Sequence, residues 1–252
     1  MKISKDKISI VIPYFRKIDF IEQTLQSVFN QSYKNYELII IYDDINKFDL
    51  SKLKLILKKS KKKIKLIINS KNLGAGLSRN KGAMFAKGKY IAFLDSDDVW
   101  KKNKLKIQLK FMKKNNLKIS HTSYYIVNEN NNIKGSRKAK YKLNYNDLIK
   151  SCDIGLSSVI IDKNLFLKNK FSSNETKEDY VAWLKISKKM PIYGLNKYLM
   201  LWRKTKGSLS SNTTQKLFDA YDVYRNKEKM SFFKALLSVM NLSINYLLKN
   251  LN

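Results

Sequence analysis

The chain has 252 residues, 51 Lys+Arg against 20 Asp+Glu, and a formal net charge of +31. A hydrophobic fraction of 44%, with two prolines and eight glycines, suits a globular protein with a substantial core and excludes collagen-like or proline-rich chains. Cys152 stands alone, which excludes an intrachain disulfide and fits a reducing compartment.

In chain order, residues 7–12 (KISIVI) form an apolar run stopped by Pro13 and predict a buried strand. Residues 20–29 place Ile21, Leu25, Val28 and Phe29 at helical spacing. Residues 37–42 (ELIIIY) predict a second strand, ending at Asp43 and Asp44. A Lys-rich amphipathic helix over 50–63, a strand over 65–68, a helix over 76–86 and a strand over 90–94 follow. Strands alternating with helices predict a mostly parallel α/β sheet, and continuous apolar runs fit strands buried on both faces. Beyond it, the pattern predicts a helix over 105–115, a strand over 119–127, a turn at 128–132 (NENNN) and an irregular region from 147. Strands over 158–161 and 197–202 and helices over 180–188 and 218–226 are predicted next.

Residues 230–251 place Phe232, Phe233, Leu236, Leu237, Met240, Ile244, Leu247 and Leu248 at roughly helical spacing. Such a helix either packs on the domain or lies in a membrane interface. No run of about 18 uncharged apolar residues occurs, so no spanning helix is expected. Residues 1–9 do not read as a signal peptide, and the expected location is the cytoplasm, with the inner face of its membrane as a peripheral site. Arginines stand only at 16, 79, 137, 203 and 225, and asparagine is abundant. A nucleic-acid reader would use more arginine, so nucleic acid is not an expected partner; an anionic membrane leaflet is the better match for the charge.

Ligand sites in such sheets lie beyond the carboxyl ends of the strands. Three predicted strands end in notable groups: Pro13-Tyr14, Asp43-Asp44, and the carboxylates of YIAFLDSDDVW at 90–100. Asp95, Asp97 and Asp98 repel one another, and a divalent cation resolves that conflict; hard oxygen ligands suit Mg²⁺ or Mn²⁺ beside a diphosphate. The same residues also suit a solvated loop capping the next helix. A carboxylate at 43–44 accepts hydrogen bonds from a nucleobase or ribose, or belongs to an ordinary turn. In NLGAGLSRNKG at 72–82, Gly74 and Gly76 permit close backbone approach before a helix, and Arg79 offers a fixed fork for a carboxylate or phosphate. The segment is neither G-x-G-x-x-G nor a P-loop. Glu178 and Asp179, before a helix, are candidates for a general base or for dipole-favoured acidity. Arg203 is a candidate for facing a phosphate. His121, with no second histidine, argues against zinc.

Taken together these segments resemble a family 2 glycosyltransferase with the GT-A fold, of the bacterial type that builds surface polysaccharide or lipooligosaccharide. ISIVIPYF at 8–15 resembles its opening strand, ELIIIYDD at 37–44 its nucleotide-binding strand, and NLGAGLSRNKG its Asn-x-Gly…Ala-Arg-Asn-x-Gly segment, with Ser78 where alanine is usual. YIAFLDSDDVW is similar to the strand carrying its Asp-x-Asp motif, KEDYVAWLKI at 177–186 to the segment holding its catalytic base, and WRKTKGSLS at 202–210 to a late phosphate-side loop. The resemblance covers roughly residues 8–210. Arg16 and Ile45-Asn46 depart from the family pattern, which has Asn and Gly-Ser there.

The resemblance implies that Pro13 and Tyr14 line the nucleotide pocket, that Asp44 contacts the base with Asp43 in support, and that Arg79 lies near base or diphosphate. It further implies that Asp95 touches ribose, sugar or metal, Asp97 binds the metal, and Asp98 orients sugar or metal water. Asp179 is then the base with Glu178 beside it, and Trp183 packs beneath or forms an acceptor platform. The implied reaction is inverting transfer of a hexose or N-acetylhexosamine from a UDP-sugar to a surface-glycan or lipooligosaccharide hydroxyl, with Mn²⁺ or Mg²⁺. A metal-dependent nucleotidyltransferase and a degenerate nucleotide-sugar-binding protein are the alternatives. The expected division is a catalytic domain over 1–215, with a nucleotide half (1–100) and an acceptor half (101–215), followed by a helical extension over 216–252.

Overall fold

The computed structural model describes residues 4–205 and 212–251, with side chains described for 6–205 and 212–246. Part of the stretch at 202–210 that resembles a phosphate-side loop, and the side chains of Leu247 and Leu248, therefore lie outside the described residues. The first half alternates strictly: β1 (Ser4–Tyr14), α1 (Ile18–Phe29), β2 (Tyr36–Tyr42), α2 (Leu50–Lys59), β3 (Ile64–Ile68), α3 (Gly74–Phe85) and β4 (Gly88–Phe93). Then come β5 (Val99–Trp100), α4 (Lys104–Lys114), β6 (Ile119–Val127), β7 (Ile133–Arg137), β8 (Lys142–Leu143) and α5 (Tyr145–Leu148). They are followed by β9 (Ile160–Asp162), α6 (Lys163–Lys168), α7 (Glu178–Ser187), β10 (Ile192–Arg203), α8 (Thr213–Asp222) and α9 (Phe232–Leu251).

One sheet runs β3-β2-β1-β4-β9-β6-β10-β5, with β7 on β6 and β8 on β10. The four strands β3, β2, β1 and β4 are parallel, as the crossover helices require. β9 enters antiparallel between β4 and β6, and β10 returns parallel to β6. The expected α/β class holds, with antiparallel pairs added in the second half.

The apolar runs serve two cores. Ile8, Ile10 and Ile12 of β1 face one side with Leu25 of α1, Leu53 of α2 and Leu105 of α4. Val11, Ile39, Ile41, Ile91 and Phe93 face the other, against Ala83 of α3, Phe166 of α6 and Trp183 of α7. Successive strand residues alternate faces, so burial of both faces makes the run continuously apolar.

Several elements escaped the sequence reading. β5 and β8 have two residues each, too short to show a period. β7 (IKGSR) is largely exposed and forms a hairpin with β6. The short helices α5 and α6 sit where irregular chain was expected and are set by caps. Asn144 accepts the Asp147 N–H in a reciprocal capping box, and Asp162 accepts the Leu165 N–H. β10 begins at Ile192, five residues before the predicted start, because β6 and β8 pair with its first part.

A Cβ at Gly82 would run into Val11 Cγ1 and lie 3.3 Å from Ile41 Cγ1, so glycine is what lets α3 lie close on β1 and β2. Gly82→Ala should destabilise the fold by about 1–3 kcal/mol, read as a lower urea midpoint; an unchanged midpoint would contradict this packing.

Candidate active site

The parallel strands β1, β2 and β4 end at one edge of the sheet, where a cleft of about 820 Å³ opens. Its walls include Pro13, Tyr14, Lys17, Asp43, Arg79, Asp95, Asp97 and Asp98, and across them Glu178 and Asp179. Residues separated by more than 160 positions in sequence thus meet in one cavity.

Arg79 joins the two sides. It is 4% exposed; Nη2 donates to Asp95 Oδ1 and Nη1 to Glu178 Oε1, each at 2.6 Å. Gly76, one turn earlier, permits this: a Cβ there would sit 2.7 Å from Glu178 Cγ and 2.9 Å from the Ser172 carbonyl. Asn80 pins the same helix to the loop before α7, exchanging two 3.0 Å hydrogen bonds with the Phe171 backbone. Burial works against the Arg79 charge, but Asp95 and Glu178 outweigh it and hold the guanidinium firmly protonated. Burial pushes Glu178 up to about 7 against the pull of Arg79.

The loop after β4 is braced on all sides. Asp95 N–H donates to Ser157 Oγ, and Thr24 Oγ1 donates to the Ser96 and Asp98 carbonyls. Asp98 is buried and accepts the Arg203 N–H at 2.8 Å; it caps no helix, because β5 intervenes and Asn103 precedes α4. The Arg203 guanidinium is engaged with the carbonyls of Asp97 and Glu129 and with Gln23 Oε1, so its fork fastens this loop. Asp97 Oδ2 meets Lys17 Nζ at 3.1 Å and Thr205 Oγ1 at 3.2 Å. Burial, then the charge of Asp95, pushes Asp97 up, and Lys17 opposes them. Burial raises Asp98 much further.

At the end of β2 the two adjacent aspartates part company. Asp43 lines the cleft, and its Oδ1 accepts from Asn69 Nδ2 (2.7 Å) and the Leu73 N–H (2.8 Å). Asn69 also donates to Ser78 Oγ at 2.9 Å, which gives the serine found in place of alanine a definite task. Asp44 does not line the cleft. Arg16 Nε holds it at 3.0 Å, lowering its pKa, and the Asn46 N–H caps it. Arg16 itself lies against the rings of Phe15 and Phe48. Ile45 and Asn46 also lie off the cleft. Tyr14 is fully buried, with its hydroxyl on Asp49 and its ring stacked on Tyr42.

On the far side, Glu178 and Asp179 occupy the first turn of α7. Asp179 is half-buried; its Oδ1 accepts the Tyr180 N–H at 2.7 Å, and burial raises its pKa against Arg79. Trp183 is fully buried with its ring edge-on to Phe171, so it packs beneath the turn and offers no acceptor platform. His121 is buried in the core, where burial holds it down to about 4.

Among the described residues no cluster of three or more His, Cys, Asp or Glu can hold a metal ion. Asp95 Oδ2 and Asp97 Oδ1 nonetheless take no hydrogen bond from the described residues. Two carboxylates with spare oxygens fit a Mg²⁺ or Mn²⁺ that completes its shell with water and other oxygen ligands. Lys17, Asn69, Ser157 and Thr205 were not singled out from sequence. A lysine in a lysine-rich chain, or a lone hydroxyl, carries no local signal.

Replacing Arg79 by Met should leave buried Glu178, and half-buried Asp95 beside it, without a counter-charge and cost about 3–5 kcal/mol in urea unfolding, with Arg79→Lys intermediate. A buried carboxylate with a raised pKa stabilises the fold below its ordinary value of 4.5 and loses that contribution as pH rises toward about 7. In Arg79→Met, that decline should steepen and continue above pH 7; a pH-independent difference would contradict the pairing.

The sequence profile described as "Glycosyl transferase family 2" matches residues 9–173. The E. coli UDP-Glc:alpha-D-GlcNAc-diphosphoundecaprenol beta-1,3-glucosyltransferase WfgD is 38% identical over 219 residues, covering 86% of this chain and 84% of that protein. An uncharacterized glycosyltransferase of Rickettsia conorii is 39% identical over 205 residues, covering 80% of this chain; the chain spans only 33% of that relative's length. Among solved structures, S. aureus TarS 1–349 superposes with a TM-score of 0.67 at 18% identity, over 93% of this chain and 70% of that one. At that identity the likeness speaks to fold alone.

Proposed function

The chain belongs to glycosyltransferase family 2, and from that premise we propose that it is an inverting enzyme using a nucleoside-diphosphate sugar. The donor is a UDP-hexose or UDP-N-acetylhexosamine, and the acceptor is a hydroxyl of a surface glycan or glycolipid. The observation that carries this reading is the split of the carboxylates over one cleft: Asp43, Asp95 and Asp97 at the strand ends, Asp179 at the start of α7 opposite. WfgD, by its name, uses UDP-Glc, which supports UDP as the donor nucleotide.

Asp43 takes the nucleotide contact expected of Asp44, since Asp44 is turned to Arg16. Asp97, with Asp95, would hold Mn²⁺ or Mg²⁺, which supplies charge neutralisation at the diphosphate. Glu178 is committed to Arg79 at 2.6 Å, so the base is Asp179. Its carboxylate removes the proton of the acceptor hydroxyl as that oxygen attacks the anomeric carbon from the face opposite the diphosphate. The new C–O bond forms while the sugar–phosphate C–O bond breaks, and the nucleoside diphosphate leaves with the electron pair. A single displacement turns an α-linked donor into a β-glycoside. Release of a nucleoside diphosphate rather than pyrophosphate separates this reaction from nucleotidyl transfer. Residues 1–100 serve the donor and 101–215 the acceptor.

Asp179→Asn should lower kcat by roughly 10²–10⁴-fold while UDP binding by calorimetry stays near wild type; equal turnover would remove Asp179 from the role. Because burial raises the Asp179 pKa, kcat/KM should climb with pH through a midpoint above the ordinary 3.8 of an aspartate. Asp97→Ala and a chelator should each weaken UDP binding and stop turnover. Full activity in both would refute the metal assignment.

A further inference from the structure

The helix α9 presents two unlike faces. Ala235 and Leu242 are buried in the core shared with α7, and Val239 packs against that core. Phe232, Phe233, Leu236, Leu237, Met240 and Ile244 are exposed, Phe233 by 77% and Leu237 by 59%. Their spacing of three to four residues puts them along one stripe. The helix contains no acidic residue. Phe232 meets Tyr221 of α8 edge-on, so α8 backs the helix, and its neighbours Leu217 and Phe218 are exposed as well. A contiguous apolar stripe of this kind on a surface marks an interaction site.

Charge selects the occupant. Exposed Arg225, Lys227 and Lys229 precede the helix and exposed Lys234 lies in it. Lys216 sits 5.7 Å from the ring of Tyr246, and the Asn245 side chain bonds the backbone of exposed Lys150. The nearby Glu228 is taken by Lys188 at 2.7 Å and Tyr145 at 2.6 Å. A second copy of a +31 chain would bring like charge against like. An apolar stripe flanked by lysines fits instead an anionic lipid surface, with rings and aliphatic chains below the headgroups and ammonium groups among the phosphates. None of the helices among the described residues is long and apolar enough to cross a membrane.

We propose that the outward face of α9 docks this protein in the plane of an anionic bilayer, while its inward face stays packed on the catalytic domain. This is independent of the donor and base assignments above. The full chain should float with vesicles of mixed phosphatidylcholine and phosphatidylglycerol, bind pure phosphatidylcholine far less, and be released by high salt. A Phe233→Ser, Leu237→Ser, Met240→Ser variant should lose roughly tenfold or more of the vesicle-bound fraction. Its thermal midpoint and UDP binding should be unchanged, since these side chains are exposed. Equal flotation of variant and wild type would overturn the proposal. So would failure of the wild type to float, or a dimer in solution, seen by sedimentation, that the variant abolishes.

Discussion

The buried guanidinium of Arg79 is the interaction on which the site depends. It grips Asp95 at the end of β4 and Glu178 at the start of α7, two positions brought from opposite halves of the chain. A buried ion pair repays its desolvation only when geometry is good, so it contributes little net stability over an apolar substitute. What it does contribute is position. Glu178 is occupied while its neighbour Asp179 keeps capacity, and the separation of the β4 loop from the start of α7 is set by one rigid fork. The absent side chain of Gly76 is the other half of that constraint.

Around this link the cleft stores electrostatic tension. Asp95, Asp97 and Asp98 crowd one loop, and burial raises two of them above the ordinary carboxylate value. Lys17 relieves part of this at Asp97 Oδ2. The loop does not relax because Thr24, Ser157 and the Arg203 backbone and guanidinium hold it from three directions. Such a site gains from any further cation. Seven carboxylates line this one cleft in a chain that carries 51 Lys+Arg against 20 Asp+Glu.

α9 applies the same economy at the opposite end of the chain. Ala235, Val239 and Leu242 fasten it inward, and Phe232, Phe233, Leu236, Leu237 and Met240 are exposed. A helix stabilised by packing alone would bury its phenylalanines first, because they carry the greatest apolar area. Here Phe232 and Phe233 are exposed while Ala235 is buried, the arrangement on which the docking proposal rests.

Periodicity and strand-end residues made the α/β class, the parallel first half and the carboxylate edge legible, because both faces of β1, β2 and β4 are buried and apolar runs report burial directly. The residues of the YIAFLDSDDVW, NLGAGLSRNKG and KEDYVAWLKI segments were legible for the same reason: their side chains are anomalous against a lysine-rich background. The sequence could not tell Asp43 from Asp44. Successive residues point to opposite sides of a strand, and only the assembled sheet says which side is the cleft. Nor could it foresee which carboxylates Arg79 holds, that Arg203 is spent on carbonyls, or that Lys17 lies on Asp97. Those pairings join positions far apart in the chain, and local pattern carries no distance between them. What the sequence by itself determined was the carboxylates at 43, 95, 97, 178 and 179 and the Arg79 guanidinium as groups that stand out from the rest of the chain. The tertiary structure alone decided which of them face one another, because close packing of α3 and α7 at the end of the sheet, permitted by two glycines, sets those distances.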